Sequence, residues 1–257
     1  MSFSPDEVER YARHLVLGEI GGPGQQRLKA ATVLIVGAGG VGSPAALYLA
    51  AAGVGTLRLI DGDTVALSNL QRQILFDSTD LGRPKVEVAA DRLTALNPHV
   101  QVEALAQPLT PANAAGIIAG ADVVVDGTDD FVVRHAVNAA CMDAGVPLVS
   151  GALGRWSGQV GVFNGGPCYR CLVPESPPDA ETCARVGVIG ALAGVIGAMA
   201  ALETIKLITG AGEPLTGRLL LYDGLSATSR TVTLTADPAC PVCGNPPPSG
   251  EVVRSEA

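Results

Sequence analysis

Charge is scarce in this chain. Asp, Glu, Lys and Arg make up 16% of its 257 residues, against about a quarter in ordinary soluble domains. Aromatic residues are scarcer still at 4%, so the core must be built from Val, Leu, Ile and Ala, which the 47% hydrophobic content supplies. Positive charge is the rarer sign, 17 Lys and Arg against 25 Asp and Glu, for a net charge of -8 and a pI near 4.8. That balance excludes nonspecific nucleic-acid binding, which needs Lys and Arg to displace counterions. It does not exclude a nucleotide, whose phosphates are held by a few local donors. Only His14, His99 and His135 are present and none sits in a motif, so no His-based nucleophilic machinery is visible. The N-terminal MSFSPDEVER lacks the basic, apolar, small pattern of a signal peptide, and a cytoplasmic location is expected. In such a chain six cysteines point to metal ligands or reactive thiols rather than disulfides.

Long uncharged runs are also few. Residues 186–202 form one, but it is short for a membrane span and is followed by Glu203 and Lys206. Gly187, Gly190, Gly194 and Gly197 recur along one side of it, so a buried or dimer-interface helix is expected and no membrane role. At the N-terminus, Ser4-Pro5-Asp6-Glu7 predicts a capping box opening a helix through Val8, Tyr11 and Leu15 to near Gly18. A turn at Gly21, Gly22 and Gly24 then leads to a second helix over 25–30.

Beyond it strands alternate with helices. Strands are predicted over 32–36, 56–60, 100–104, 122–126 and 147–150, and helices over 43–52, 84–96, 111–119 and 132–144. This pattern implies a mostly parallel sheet with right-handed crossovers. After Gly151 the texture changes: 159–163, 218–222 and 231–235 alternate as antiparallel strands do. The expectation is a single α/β domain over 1–244 with a Rossmann-like mixed sheet, parallel in its N-terminal half and antiparallel in its C-terminal half. Its parts are N-terminal helices (1–30), a nucleotide-binding half (31–150) and a second half (151–244). Residues 245–257, rich in Pro and charge, are expected to be a disordered tail.

Gly37-Ala38-Gly39-Gly40-Val41-Gly42 matches G-x-G-x-x-G between a predicted strand and helix. Gly37, Gly39, Gly40 and Gly42 would let backbone approach phosphate oxygens at a helix N-terminus. Asp61 closes the second strand at the spacing of a ribose-binding carboxylate. The fingerprint alone favours NAD. The polar, basic stretch Ser68-Asn69-Leu70-Gln71-Arg72-Gln73, followed by Arg83 and Lys85, favours the larger phosphate charge of ATP. Gly127-Thr128-Asp129-Asp130 places two carboxylates at the C-terminal edge of the sheet, where a magnesium ion would offset their charge beside a triphosphate. The competing role for either is to cap the following helix.

Cys168-Tyr-Arg-Cys171 and Cys240-Pro-Val-Cys243 are two C-x-x-C pairs, which suit one tetrahedral structural zinc. A redox C-x-x-C would normally occur once, near a thioredoxin-like pattern. Cys141 falls in the apolar helix pattern and reads as a small buried hydrophobe. Cys183, beside Arg185 before the Gly-rich helix, is either a nucleophilic thiol of lowered pKa or a structural one.

Together these features resemble the family of ThiF, MoeB and HesA proteins, whose fold is shared with the adenylation domain of ubiquitin-activating enzymes. The resemblance runs from Tyr11 to Gly244. It rests on the glycine turn, Asp61, the Ser68 to Gln73 block, Lys85, Thr128-Asp129 and the paired knuckles. It implies that Gly40 and its neighbours contact ATP, Asp61 holds the ribose, Asn69, Arg72 and Lys85 face the phosphates, and Asp129 holds magnesium. It also implies that Arg13 reaches the triphosphate bound by a partner subunit, hence a homodimer. The implied reaction is adenylation of the C-terminal Gly-Gly carboxylate of a ubiquitin-like sulfur-carrier protein, of MoaD or ThiS type. Asp130 stands where the family often has asparagine. The rhodanese domain of some relatives is not in the sequence, so sulfur would come from a separate donor protein. Two other readings stand beside this one: an NAD-dependent oxidoreductase, and a dimer that binds carriers without catalysis.

Overall fold

A computed structural model describes residues 2–175 and 187–244. The β-branched run Thr32–Val36 forms β1, which pairs in parallel with β2 (Thr56–Ile60) on one side and β4 (Val123–Asp126) on the other. β3 (Gln101–Leu105) and β5 (Leu148–Leu153) continue the parallel sheet outwards. β6 (Ser157–Phe163), β7 (Arg218–Asp223) and β8 (Thr228–Thr233) extend it antiparallel. The order is β3-β2-β1-β4-β5-β6-β7-β8, so the mixed Rossmann-like sheet is as expected. Strand order reverses at β1, and the loops leaving β1 and β4 diverge at the C-terminal edge to open a crevice there.

Among the described residues the α-helices are α1 (Pro5–Arg10), α2 (Ala12–Leu15), α3 (Gly21–Ala30), α4 (Gly42–Ala52), α5 (Lys85–Leu96), α6 (Ala114–Ile118), α7 (Phe131–Ala144), α8 (Tyr169–Leu172) and α9 (Gly190–Thr209). Alternation along β1 divides the core into two layers. Val33 and Ile35 pack with Leu49, Leu57 and Ile196 under α4 and α9, whereas Leu34 and Val36 pack with Ile118, Val137 and Phe163 under α6 and α7.

The capping box at Ser4 and Glu7 is present. The single N-terminal helix is not, because it breaks at Tyr11. That side chain is drawn into the core, where its ring lies against Gly53 and its hydroxyl accepts from Asn97 Nδ2 at 2.8 Å. The glycines of the expected turn form the first turn of α3, since Gly24 sits against Ile20 where a Cβ would be 2.9 Å from Cγ2. β8 falls earlier than predicted, set by its register with β7, which pairs Arg218 with Thr233 and Asp223 with Thr228.

α9 runs on to Thr209 and takes Glu203 and Lys206 inside the helix. The buried Glu203 pairs with Lys206 at 2.5 Å and accepts the Leu215 amide at 2.8 Å, which satisfies its charge. By length and composition α9 is long and apolar enough to cross a membrane. Here it packs on α3, α4, β5 and β6. The expected glycine stripe divides in two. A Cβ at Gly190 would lie 2.0 Å from the Gln71 carbonyl, and one at Gly197 would lie 2.3 Å from Pro44 Cγ and 2.5 Å from the Val41 carbonyl. Gly187 precedes the helix and Gly194 is turned away, and neither has any atom within 4 Å of its Cβ position. Gly194→Ala is therefore expected to stabilise the fold by about 1 kcal/mol through helix propensity, and Gly197→Ala to destabilise it by about 1–3 kcal/mol through overpacking. Urea midpoints of the two variants check this, and a stabilised Gly197→Ala would contradict the packing described.

Candidate functional site

The glycine turn joins β1 to α4 at the reversal of strand order. Gly37 adopts φ +85°, and a Cβ on Gly42 would fall 1.8 Å from the Gly37 carbonyl, so the turn closes only without side chains. Asp61, at the end of β2, is tied to this turn. Its Oδ2 accepts the Ala38 amide and its Oδ1 the Asp63 amide, both at 2.8 Å. Burial raises its pKa above the ordinary carboxylate value, opposed by Lys85 and by the two amides. Lys85 opens α5, is buried, and lies 2.8 Å from Asp63 and 4.0 Å from Asp61.

Two cavities meet over the turn. The first, of about 300 Å3, is lined by Gly37, Asp61, Asn69 and Lys85. The second, of about 290 Å3, is bounded by Gly40, Gly151, Arg134 and Tyr169. Arg72, Gln73, Thr128 and Asp129 line both. Farther out, Ala152, Leu153 and Gln159 are shared between the second cavity and an open groove of about 740 Å3 over β6, β7 and β8. Shared lining residues set the three spaces side by side between the antiparallel face and the glycine turn.

The Ser68 to Gln73 block does not act as a unit. Asn69 and Arg72 face the cavities, Leu70 packs on the core, and Ser68 and Gln71 are exposed. The Arg72 stem lies over Gly40 and its Nη1 donates to the Ser68 carbonyl at 3.0 Å. Among the described residues its guanidinium has no carboxylate partner. Arg83 departs from expectation. It pairs with Asp91 at 2.7 Å and Asp80 at 3.4 Å on the surface and lines neither cavity.

The acid that ends β4 and the two that follow it have separate roles. Asp126 is buried and accepts from the Thr128 amide at 3.0 Å and its hydroxyl at 2.8 Å. Asp130 caps α7, accepting the Val132 amide at 2.7 Å and the Val133 amide at 3.3 Å, although it also borders the first cavity. Asp129 is exposed at the junction, and among the described residues nothing hydrogen-bonds its carboxylate. Of the two acids, Asp129 is the one whose oxygens are open to a cation.

Among the lining residues, sequence reasoning did not single out Arg134 and Tyr169, and it read Gln73 only as part of the polar block. The signal for Arg134 was a lone arginine in an apolar helical pattern. For Tyr169 it was a position between knuckle cysteines, and for Gln73 its place in the polar block. Arg13 is exposed on α2 and lines neither cavity of this chain. Cys183 lies outside the described residues, as do 245–257. Cys141 is buried, which pushes its thiol pKa up to about 12.

The sulfurs of Cys168, Cys171, Cys240 and Cys243 all lie within 4.8 Å of one another. The nearest pairs, Cys171–Cys243 at 3.3 Å and Cys168–Cys240 at 3.7 Å, are too far apart for disulfides. They approach the separation of about 3.8 Å across a tetrahedron of about 2.3 Å Zn–S bonds. Asn138 Nδ2 and the Asp237 amide donate to Cys168 and Cys171 sulfur at 3.5 and 3.4 Å, as outer partners of thiolates do. The donor set fits zinc.

The ThiF family profile matches residues 11–242. The chain is 47% identical over 266 residues to the sulfur carrier protein adenylyltransferase of Thermus thermophilus, covering 100% of this chain and 98% of that one. It is 47% identical over 244 residues to the molybdopterin-synthase adenylyltransferase of Escherichia coli, covering 94% and 98%. Among solved structures it is similar to Escherichia coli MccB with AMPCPP and MccA, at a TM-score of 0.81 and 26% identity over 95% of this chain and 75% of that one.

Reconstitution with Co2+ is expected to give thiolate-to-metal charge-transfer bands and tetrahedral d–d bands, and Cys243→Ser to weaken both and lower the melting temperature. Metal retained by a Cys171→Ser/Cys243→Ser double variant would exclude this cluster as the site.

Proposed function

The chain belongs to the ThiF family, and from that premise we propose that it is an ATP-dependent adenylyltransferase. Its substrate is the C-terminal Gly-Gly carboxylate of a ubiquitin-like sulfur-carrier protein of MoaD or ThiS type. The observation that carries this reading is the track of adjoining spaces, each sharing a wall with the next, from the antiparallel face to the glycine turn. An NAD-dependent oxidoreductase has no use for such a track, whereas a folded carrier threading an extended tail towards a nucleotide needs one.

In this reading the first cavity takes the nucleotide. Asp61, already oriented by two amides, accepts the ribose hydroxyls, and the amides around Gly40 meet the phosphates. Asn69, Arg72 and Lys85 neutralise phosphate charge, joined by Arg13 from the second subunit of a homodimer. Asp129 would hold magnesium, which would supply further positive charge at the triphosphate. The carrier body rests in the groove over β6, β7 and β8, and its tail enters the second cavity. Its carboxylate, ionised at neutral pH, attacks the α-phosphorus without a general base. A carboxylate O–P bond forms, the bond to the leaving pyrophosphate breaks, and the donors around Arg72 stabilise the charge that accumulates. Zinc bound by the four cysteines is structural, and a separate donor protein supplies the sulfur that consumes the acyl-adenylate.

Exchange of labelled pyrophosphate into ATP, dependent on a Gly-Gly-ended carrier, is the expected signature. Arg72→Ala and Asp129→Ala should each lower exchange by about 100-fold or more, the scale on which removal of one positioned electrostatic group acts. Arg83→Ala, on the surface, should stay within about twofold, as solvated ion pairs contribute little. No exchange with any such carrier would sink the proposal.

A further inference from the structure

We infer that Arg134 is a positioning residue for the loop bearing Asp129, and that the cysteine knuckle holds Arg134 in place through Tyr169. The inference rests on the proposed function, because it takes Asp129 as the magnesium-binding carboxylate.

Arg134 is 4% exposed on the buried face of α7, which it shares with Val137, Asn138 and Cys141. Burial opposes its charge most strongly, but the Asp126 carboxylate 3.9 Å away, Tyr169 and the Asp129 carboxylate together outweigh it, and its pKa lies above the ordinary guanidinium value. An ion pair alone would account for no more than that contact. Arg134 instead spreads its donors over two elements. Nη1 donates to Ser150 Oγ at 3.0 Å, and Nη2 donates to the Gly151 carbonyl at 2.8 Å and to the Thr128 carbonyl. Thr128 directly precedes Asp129. One planar group thus ties the loop after β4 to β5, at the wall of the second cavity. A lysine ammonium keeps the charge but does not present a planar fork.

The other face of Arg134 is set by the knuckle. Its Cζ lies 5.7 Å from the ring centroid of Tyr169, which is 3% exposed and stands between Cys168 and Cys171. Asn138, one helical turn beyond Arg134, accepts the Tyr169 amide at 2.8 Å and donates to Cys168 sulfur. α7 therefore grips the knuckle with Asn138 and the Asp129 loop with Arg134. The knuckle does more than pin the C-terminal segment, since ordering its cysteines also orders the ring against which the guanidinium rests.

The test measures ATP affinity of the full-length protein by calorimetry with and without Mg2+, alongside zinc content by mass spectrometry. Arg134→Lys and Tyr169→Leu are each expected to retain zinc and to weaken Mg2+-dependent ATP binding by about tenfold, while Mg2+-free binding stays within about twofold. Tyr169→Phe, which keeps the ring but removes the hydroxyl that also interacts with the guanidinium, should restore part of the loss. In an Asp129→Ala background neither substitution should have a further effect. Equal losses with and without Mg2+, or full additivity with Asp129→Ala, would overturn the positioning role. Should Arg134→Lys fail to fold, the cycle of Tyr169→Leu with Asp129→Ala distinguishes the same two outcomes. Removing zinc from the wild-type protein should reproduce the selective loss, and unchanged Mg2+-dependent affinity would detach the knuckle from Arg134. A wild-type protein that binds no ATP under any condition would instead overturn the proposed function.

Discussion

Where α9 and α4 meet the glycine turn, main chain lies close against main chain, with the Pro44 ring alongside at Gly197, and the walls of the cavities depend on that approach. The Gly37 carbonyl lies under Gly42, the Val41 carbonyl under Gly197 and the Gln71 carbonyl under Gly190. A methyl group at any of these would separate the turn, the helix that follows it, or the segment carrying Arg72. The approach also places Ala193 beside Gly40, where a Cβ would lie 3.3 Å away, so that α9 backs the turn. Asp61 completes the arrangement by bonding the turn from the opposite side.

Within that frame charge is distributed unevenly. The chain is acidic overall, and the cations near the cavities are mostly engaged. Lys85 is paired with Asp63, and Arg134 spends its donors on Ser150, Gly151 and Thr128. Arg72 alone among these three has no carboxylate beside it in the described residues. Affinity for an anion then rests on few groups acting at short range, consistent with a protein whose net charge of -8 repels polyanions in bulk. Asp129 lines the same two cavities as Arg72, and among the described residues nothing hydrogen-bonds its carboxylate, which leaves it open to the cation that the proposed function assigns.

Much of this was legible in the sequence because it is local. The alternation of β-branched runs with helical patterns marked the parallel strands, the glycine spacing marked the turn, and two C-x-x-C pairs marked a cluster that the fold brings together across 72 positions of chain. What could not be read depends on tertiary placement. Arg83 and Lys85 look alike in sequence, yet one meets Asp91 on the surface and the other is buried beside Asp61. Gly194 and Gly197 differ only in the direction each faces around α9. Tyr11 breaks its helix because Asn97 and Gly53, far along the chain, make a place for its ring. The division between Asp129 and Asp130 followed from which one capped α7, a choice that the pair of letters does not contain.

α9 touches both halves of the molecule: α3 and α4 on the parallel side, β5 and β6 at the change of direction. Its buried Glu203 also accepts from Leu215 at the approach to β7. Neither half can therefore shed its packing without exposing the apolar surface of the same helix. The consequence is cooperativity. Despite a sheet of two textures, the protein should melt in one transition, with calorimetric and van't Hoff enthalpies that agree, and two resolved transitions would show that the helix does not couple the halves.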